Sequence, residues 1–497
     1  MGVVDRFLEQ GGSPTVVNMY VKREPLVRLK FQGFGDTAGR DAFAPRPIMI
    51  PQSETERLLG DAVEEQGGKI EWNTEFLDFT QDAHRVTSRI RRADGEIEHV
   101  ESSYLVSCEG AHSLIRKQAG FEFAGKTYPL LFFMADVEAD WRLDHDENHV
   151  WMHSDGSFAA LPLPRPRTWR LFVEMSELET TRSTELTLES IRGIMAQRIE
   201  DHTTTLSNPT WISEFRIHCR LVDRYRHGRV FVAGDAAHIH SPTGGQGIAT
   251  GIQDASNLAW KLGRVCAGAP ETLLDSYEEE RRPHAQEVLN ETNRVTTVLF
   301  APNWRLRMLR DYVVLPVLRS RWAQRKMFSK LAQLHVNYRA SGLSQHEDAT
   351  GPWRTTRLRA GDRAPDVAFR NATTGERVTL FELLQPMRPV VLLGANRGVT
   401  DVARYDDLTA HLSQLGLSPY MLVPAEDAFG GRRPHCLIDA HGDFQRLYGM
   451  SQEFLCLIRP DDHIGLFQRP IREGALNTYL TQICAPTMVR HRSAVTA

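Results

Sequence analysis

The segment from Gly228 to Gly247, Gly-Arg-Val-Phe-Val-Ala-Gly-Asp-Ala-Ala-His-Ile-His-Ser-Pro-Thr-Gly-Gly-Gln-Gly, constrains the fold more than any other stretch of the chain. Val230, Phe231 and Val232 make a short apolar strand that stops at Gly234-Asp235. An acid at a strand's carboxyl end stands where open α/β sheets bind ligands. Gly244, Gly245 and Gly247 then let the backbone approach a bound group closely. A helix follows, with Ile248, Ile252, Ala255, Leu258, Ala259, Leu262 and Val265 at helical spacing. Its free N–H groups and positive dipole end face the loop and favour a negative or electron-rich group. Strand, acid, glycine loop and helix N-terminus together indicate a cofactor site.

The rest of the chain is compatible with a multidomain enzyme. Its 497 residues correspond to roughly three domains. A hydrophobic share of 41% against 25% charged residues excludes wholesale disorder. With 59 Lys and Arg against 63 Asp and Glu the net charge is −4, which argues against a nucleic-acid binder. No apolar run approaches the roughly 18 to 20 residues of a membrane span, and Asp5, Arg6 and Glu9 break up the only candidate signal sequence. A cytoplasmic protein is expected. The six cysteines, at 108, 219, 266, 436, 456 and 484, contain no Cys-x-x-Cys, so they read as buried reduced thiols.

Along the chain, Val27, Leu29 and Phe31 alternate with Arg28 and Lys30 as in a half-buried strand. A helix is expected over Glu54–Gln66, and Ala93-Asp94-Gly95 reads as a hairpin turn. Residues 127 to 220 mix short strand-like runs such as Trp169–Val173 with a helix near Leu186–Ile199. A helical region spans about 275 to 340. Ala340–Pro352, poor in apolar residues, reads as a linker to a last unit with strands at Val390–Leu393 and Phe454–Ile458.

Arg229–Gly247 followed by Gly251-Ile-Gln-Asp-Ala closely resembles the second flavin motif of the single-component FAD-dependent aromatic hydroxylases. Ser107-Cys-Glu-Gly-Ala-His-Ser-Leu-Ile-Arg116 resembles their Asp-Gly motif, which serves FAD and the nicotinamide cofactor. Pro51-Gln52, with Thr55-Glu56 behind it, matches the stretch whose glutamine contacts FAD. Ser276-Tyr-Glu-Glu-Glu-Arg-Arg-Pro283 resembles the segment after the second flavin motif. Arg359-Ala-Gly-Asp-Arg-Ala-Pro365 and Leu457-Ile-Arg-Pro-Asp461 resemble the thioredoxin-like extension of many such hydroxylases. Within the family the polyketide and rifampicin hydroxylases look most similar.

The resemblance implies a mixed α/β protein: an FAD-binding doubly wound domain, a β-sheet substrate domain and a C-terminal thioredoxin-like domain. The expected boundaries are 1–124 and 221–300 for the FAD-binding domain and 125–220 for the substrate domain, whose pocket residues 125 to 215 should line. Residues 301–352 are then helical region and linker, and 353–497 the last domain, redox-silent and serving packing or a homodimer contact. It implies cofactor contacts at Gln52, Glu109, Gly110, Asp235, Pro242, Gly244, Gly245, Gly247, Ile248 and Ala249. Asp235 would hydrogen-bond the ribityl chain. His238 and His240 with Asp235 could also be read as a metal set; the flavin motif accounts for the same residues without a metal. Arg116 could serve a structural ion pair or a nucleotide phosphate, and Arg165 and Arg167 read as a solvated loop.

Three departures from the family pattern stand out. The family opens with a βαβ unit carrying Gly-x-Gly-x-x-Gly, whereas Gly2-Val-Val-Asp-Arg-Phe-Leu8 resembles the helix that follows that unit. Gly33-Phe-Gly-Asp-Thr-Ala-Gly39 is no substitute, since Pro45 and Pro47 forbid the helix required after it. The natural reading frame is therefore expected to extend upstream of Met1. Glu109 replaces the usual Asp, and Ala249 an Asn that would hydrogen-bond near the flavin ring. The implied activity is hydroxylation of a phenolic or polyketide-like substrate with FAD, NAD(P)H and O₂; no catalytic side chain is singled out. The rival classes are an FAD-poor relative that binds a ligand or partner, and a flavin reductase or dehydrogenase without oxygen transfer.

Overall fold

The computed structural model describes residues 2–21, 25–30, 47–175, 187–242, 245–300, 303–348, 358–394, 402–424, 434–449, 453–485 and 489. The expected strand at Val27 and Leu29 is Pro25–Lys30, with both side chains buried; Phe31 lies outside the described residues. Helix Gln52–Glu65 buries Thr55, Leu58 and Ala62. The expected hairpin turn joins Val86–Arg91 to Ile97–Ser102 in a three-stranded antiparallel sheet completed by Glu75–Gln81.

Residues 123 to 239 hold longer strands than the short runs the sequence suggested. Phe123–Ala139 and Leu206–Val222, each of 17 residues, pair antiparallel within an eight-stranded sheet. Register shifts at Ser207/Trp211 and Arg216/His218 bend the pair without ending it, so the apolar alternation breaks locally while the ladder continues. Ala135 and Val137 face Trp169, Leu171 and Val173 on one side, where Ile191, Ile194 and Met195 of helix Leu188–Arg198 cover them. Each such side chain contributes about 1.5–3 kcal/mol by leaving water.

A smaller sheet carries the site. Leu105–Ser107 and Val230–Val232 run parallel, with Ser107 beside Val232, and Arg226–His227 flanks them. The carboxyl ends of the two parallel strands therefore deliver residues 108–111 and 233–236 to one edge. Helix Gly247–Cys266, here the loop helix, packs against that edge.

Of the apolar positions that mark the loop helix by their spacing, Leu258 is buried and Leu262 and Val265 are partly buried, while the other four face outward. Ile248, Ile252, Ala255 and Ala259 are exposed, and Thr250, Asp254, Asn257, Leu258, Trp260 and Lys261 are buried. Hydrophobic periodicity identifies a helix; charge pairing across the interior decided its rotation.

The last unit is an eight-stranded sheet ordered Gln345–Asp348, Ile464–Arg469, Phe454–Ile458, Val390–Gly394, Ser418–Val423, Cys436–Ile438, Ala368–Asn371 and Arg377–Thr379. The stretch read as a linker is corrected: its middle, Gln345–Asp348, is an edge strand parallel to Ile464–Arg469, held by the Asp348–Arg469 ion pair. Its apolar residue Leu343 is buried with Val391, Leu455 and Leu466. Trp260 and Leu273 belong to the same core, so this sheet packs directly on the loop helix. The expectation of buried thiols holds for Cys219, Cys436, Cys456 and Cys484; Cys108 and Cys266 are exposed.

Candidate cofactor site

Strand Val230–Val232 is wholly buried and hands the chain to a tight turn, Gly234–Ala236. Gly234 has φ 58°, a backbone state glycine adopts without strain. It also faces Gly251 of the loop helix so closely that a Cβ on Gly251 would lie 3.4 Å from the Gly234 Cα. The two glycines let turn and helix touch. Asp235 is thereby left at the surface, and its carboxylate accepts no hydrogen bond from any described residue.

The neighbouring strand leads into Glu109 and Gly110. Glu109 Oε2 accepts from Ser107 Oγ at 3.0 Å, Ser113 Oγ at 2.6 Å and the Ile115 N–H at 3.0 Å. This carboxylate oxygen thus ties down the start of helix Leu114–Gln118, with Ser113 as its cap. Among the described residues Arg116 hydrogen-bonds carbonyls and not an acid. Its guanidinium donates to the Ala111 carbonyl at 2.7 Å and to the Ala236 carbonyl at 3.1 Å, stapling the two turns together.

The loop helix begins at Gly247 after Gln246, which supplies no side-chain cap, and its first turn holds no acid. The N–H groups of Gly247, Ile248 and Ala249 therefore lack intrahelical acceptors. Ile248 and Ala249 are exposed, as is Pro242, and a Cβ on Gly245 would meet nothing within 4 Å. Gly110 is equally open. His240 Nε2 is a buried nitrogen without a hydrogen-bond partner, and its ring lies 3.9 Å from where a Gly247 Cβ would stand. Gly244 lies outside the described residues. Gln52 is exposed at the head of its helix and donates to Glu56 at 2.8 Å. No hydrogen bond or ion pair among the described residues joins it to the loop helix.

Beneath the turn lies a buried polar centre. Asp254 Oδ2 accepts from the Gly234 N–H at 3.0 Å and lies 2.7 Å from His238 Nε2; Oδ1 accepts from Arg281 Nε at 2.7 Å. Burial alone would raise the Asp254 carboxyl, but Arg281 and His238 outweigh it and hold it below its usual value. Arg281 also donates to Tyr338 Oη at 2.9 Å, and the Tyr338 ring stacks on His463 at 4.1 Å. Beside Arg281, burial and then the neighbouring cation push the His284 imidazole down to about 2. His240 Nδ1 lies 3.0 Å from the Ser241 carbonyl. Among the described residues the three-group cluster of metal-ligand type is Glu287–Glu291–His335, and not His238–His240–Asp235.

Two turns further along the loop helix a second buried set locks on the last sheet. Glu280 accepts from Arg459 at 2.7 Å through both oxygens and from Lys261 at 2.7 Å. Asp461 accepts from Asn257 at 2.9 Å and from Trp260 Nε1 at 3.1 Å. Burial draws the Lys261 ammonium down to about 8. Arg459 and Asp461 belong to the Leu457–Asp461 motif, so that motif packs against the loop helix.

Asp254, Arg281, Tyr338 and Glu280 were assigned no role from sequence. A signal existed, since Thr250, Asp254, Asn257 and Lys261 recur at helical spacing. A cleft of about 530 Å³ between the two long strands and helix Asp275–Leu299 is lined by Lys126, Cys219, Leu221, Arg282 and Asn293 among others. No predicted cofactor residue lines it. Of the range 125 to 215 expected to line the substrate pocket, it takes Gly125 and Lys126.

The FAD binding domain family matches residues 1–292. Pentachlorophenol 4-monooxygenase of Sphingobium chlorophenolicum is 30% identical over 423 residues, 83% of this chain and 74% of that protein. A flavin-dependent monooxygenase of Mycobacteroides abscessus is 35% identical over 342 residues, 68% of this chain; the chain spans 64% of that relative's length. Among solved structures, the OxyS anhydrotetracycline hydroxylase from Streptomyces rimosus superposes with a TM-score of 0.71 at 28% identity, covering 98% of this chain and 88% of that one.

Proposed function

The chain belongs to the family of FAD-dependent aromatic hydroxylases, and from that premise we propose that it is a monooxygenase using NAD(P)H and O₂ to hydroxylate a phenolic or polyketide-like aromatic compound. The observation that carries the reading is the free Asp235 carboxylate beside an uncapped helix N-terminus. A surface acid with no hydrogen bond among the described residues, open amides, glycines with empty space above them and the orphaned His240 Nε2 fit an FAD.

Bound FAD supplies the redox chemistry with the nicotinamide and O₂. The protein's own groups bind and orient. Asp235 would accept hydrogen bonds from the cofactor's hydroxyls, and the amides of Gly247, Ile248 and Ala249 would favour an electron-rich group, since a positive dipole end stabilises negative charge. Asp254 holds the Gly234–Asp235 turn against the helix, so acid and amides are pre-set relative to each other. Gln52, Gly110, Pro242 and Gly245 complete the contact surface. Glu109 acts at one remove, by shaping the turn that carries Gly110.

In this reading the parallel pair Leu105–Ser107 and Val230–Val232 belongs to a doubly wound FAD-binding domain made of 1–124 and 221–300, and the large mixed sheet to a substrate domain over 125–220. The last unit, 353–497 together with the edge strand Gln345–Asp348, is a thioredoxin-like domain that braces the loop helix. Arg459 and Asp461 support a packing role for this unit.

The test is NAD(P)H-dependent O₂ uptake by the FAD-loaded protein across a panel of phenols and polycyclic phenols, with ¹⁸O₂ labelling of product. One labelled oxygen in the aromatic product is expected. Flavin reduction by NAD(P)H without aromatic-dependent oxygen incorporation would replace this reading by a reductase.

A further inference from the structure

We propose that the helical segment from Trp304 to Leu331 docks this protein on anionic membrane surfaces. The chain is helical over Trp304–Leu309, Arg310–Val314 and Leu315–Val317, and again over Arg321–Leu331. Both halves bury their inner sides, Leu315 and Phe328, in one core with Met19, Val27 and Leu29 of the large sheet. Arg319 donates to the Leu26 carbonyl at 2.8 Å and Gln324 to the Leu318 carbonyl at 2.9 Å, so the two halves sit on the same sheet edge and turn their outer sides away from it.

Those outer sides are apolar where a water-facing helix should be polar. Trp304, Met308 and Tyr312 recur every four residues, and so do Leu309, Val313 and Val317. All six are exposed, Tyr312 to 75% and Trp304 to 61%, and Trp322 on the second half is exposed to 70%. A soluble surface rarely gathers this much apolar area without a partner.

Charge identifies the partner. The segment from 303 to 331 carries Lys or Arg at 305, 307, 310, 319, 321, 325, 326 and 330 against a single acid, Asp311, in a chain of net charge −4. Asp311 is engaged by Arg310. Arg305, Arg321 and Lys326 are exposed and have no carboxylate partner among the described residues. Arg305 and Lys326 lie over the rings of Trp304 and Trp322, at 5.6 and 5.4 Å. Exposed Trp and Tyr interleaved with unpaired cations is the chemistry of a helix lying in the headgroup layer of a negatively charged bilayer: rings enter the acyl boundary and cations meet lipid phosphates. A protein partner would be expected to supply acids, and a second copy of this patch would bring like charges together.

The proposal is independent of the cofactor reading, and its test needs no turnover. Full-length protein is co-sedimented with vesicles of neutral phosphatidylcholine and with vesicles containing a third phosphatidylglycerol. Binding to the anionic vesicles alone, reduced by salt, is expected. Replacing Arg305, Arg321 and Lys326 together by Gln should lower the partition coefficient about a hundredfold. W304S with W322S should lower it at least tenfold, with the circular dichroism spectrum unchanged. Equal sedimentation with neutral and anionic vesicles, or anionic binding that neither variant weakens, overturns the proposal. So does a concentration-dependent dimer that W304S/W322S converts to monomer.

Discussion

Asp254 and Arg281 meet Oδ1 to Nε at 2.7 Å with neither side chain reaching solvent, directly beneath the turn that presents Asp235. The pair joins the loop helix to helix Asp275–Leu299, and through Tyr338 and His463 it reaches the last sheet. A buried charge pair of this kind positions its surroundings because breaking it leaves a cation stranded.

Asp254→Asn therefore removes the charge opposing Arg281 while keeping the shape. A loss of about 3–5 kcal/mol is expected, read as a lower urea midpoint of the flavin-free protein. A midpoint equal to the parent's would show that Arg281 finds compensation elsewhere.

Asp235 sits at the surface and makes no hydrogen bond among the described residues, so Asp235→Ala should leave the urea midpoint unchanged. Its effect belongs to the cofactor: FAD affinity should fall by about 1.5–3 kcal/mol, the worth of a hydrogen bond to a charged group. Fluorescence titration with FAD measures it, and an unchanged dissociation constant removes Asp235 from the site.

Ala249 stands exposed in the first turn of the loop helix. Ala249→Asn adds a hydrogen-bonding side chain there and should tighten FAD binding by about 0.5–1.5 kcal/mol. Equal or weaker binding in the same titration would mean that the side chain points away from the ring.

His284 gives stability a pH dependence. Its folded-state pKa lies near 2, against 6.5 for a free imidazole. Between those values the unfolded chain binds a proton that the folded chain refuses. Its contribution is complete above about pH 6.5 and is lost as the pH falls, by about 1.4 kcal/mol per pH unit. Unfolding at pH 7 and pH 5 should show a smaller difference for His284→Gln than for the parent; equal differences would assign the acid sensitivity to other groups.

The buried thiols of the last unit should be chemically silent. Cys456 is wholly buried, and burial drives its thiol far above the usual range, while Cys436 and Cys484 are also buried. Replacing all three by Ala should cost about 1 kcal/mol each through lost packing and leave NAD(P)H-dependent turnover intact. A variant that remains folded and flavin-loaded yet cannot be reduced would reveal a redox role.

Much of the site was legible because it is local. The strand, acid, glycine loop and helix start lie within 20 residues of chain, and near neighbours shape the Gly234–Ala236 turn, as they do the Ser113 cap of the other turn. The strands Val390–Gly394 and Phe454–Ile458 were equally plain, since a fully buried strand is a continuous apolar run.

Sequence alone therefore marked the strand, acid, glycine loop and helix that begin at Val230, and the family the chain belongs to. Tertiary structure alone decided which way the loop helix faces. Its apolar spacing runs through Ile248, Ile252 and Ala255, yet it buries Asp254, Asn257 and Lys261 instead, because their partners Arg281, Glu280 and Asp461 arrive from 19 to 204 residues away. In the same way Gln345–Asp348, polar enough to read as a linker, became a strand when Ile464–Arg469 offered it a ladder. A hydrogen bond or ion pair between distant residues leaves no periodic trace in either segment. Its free energy appears only when folding removes both groups from water together.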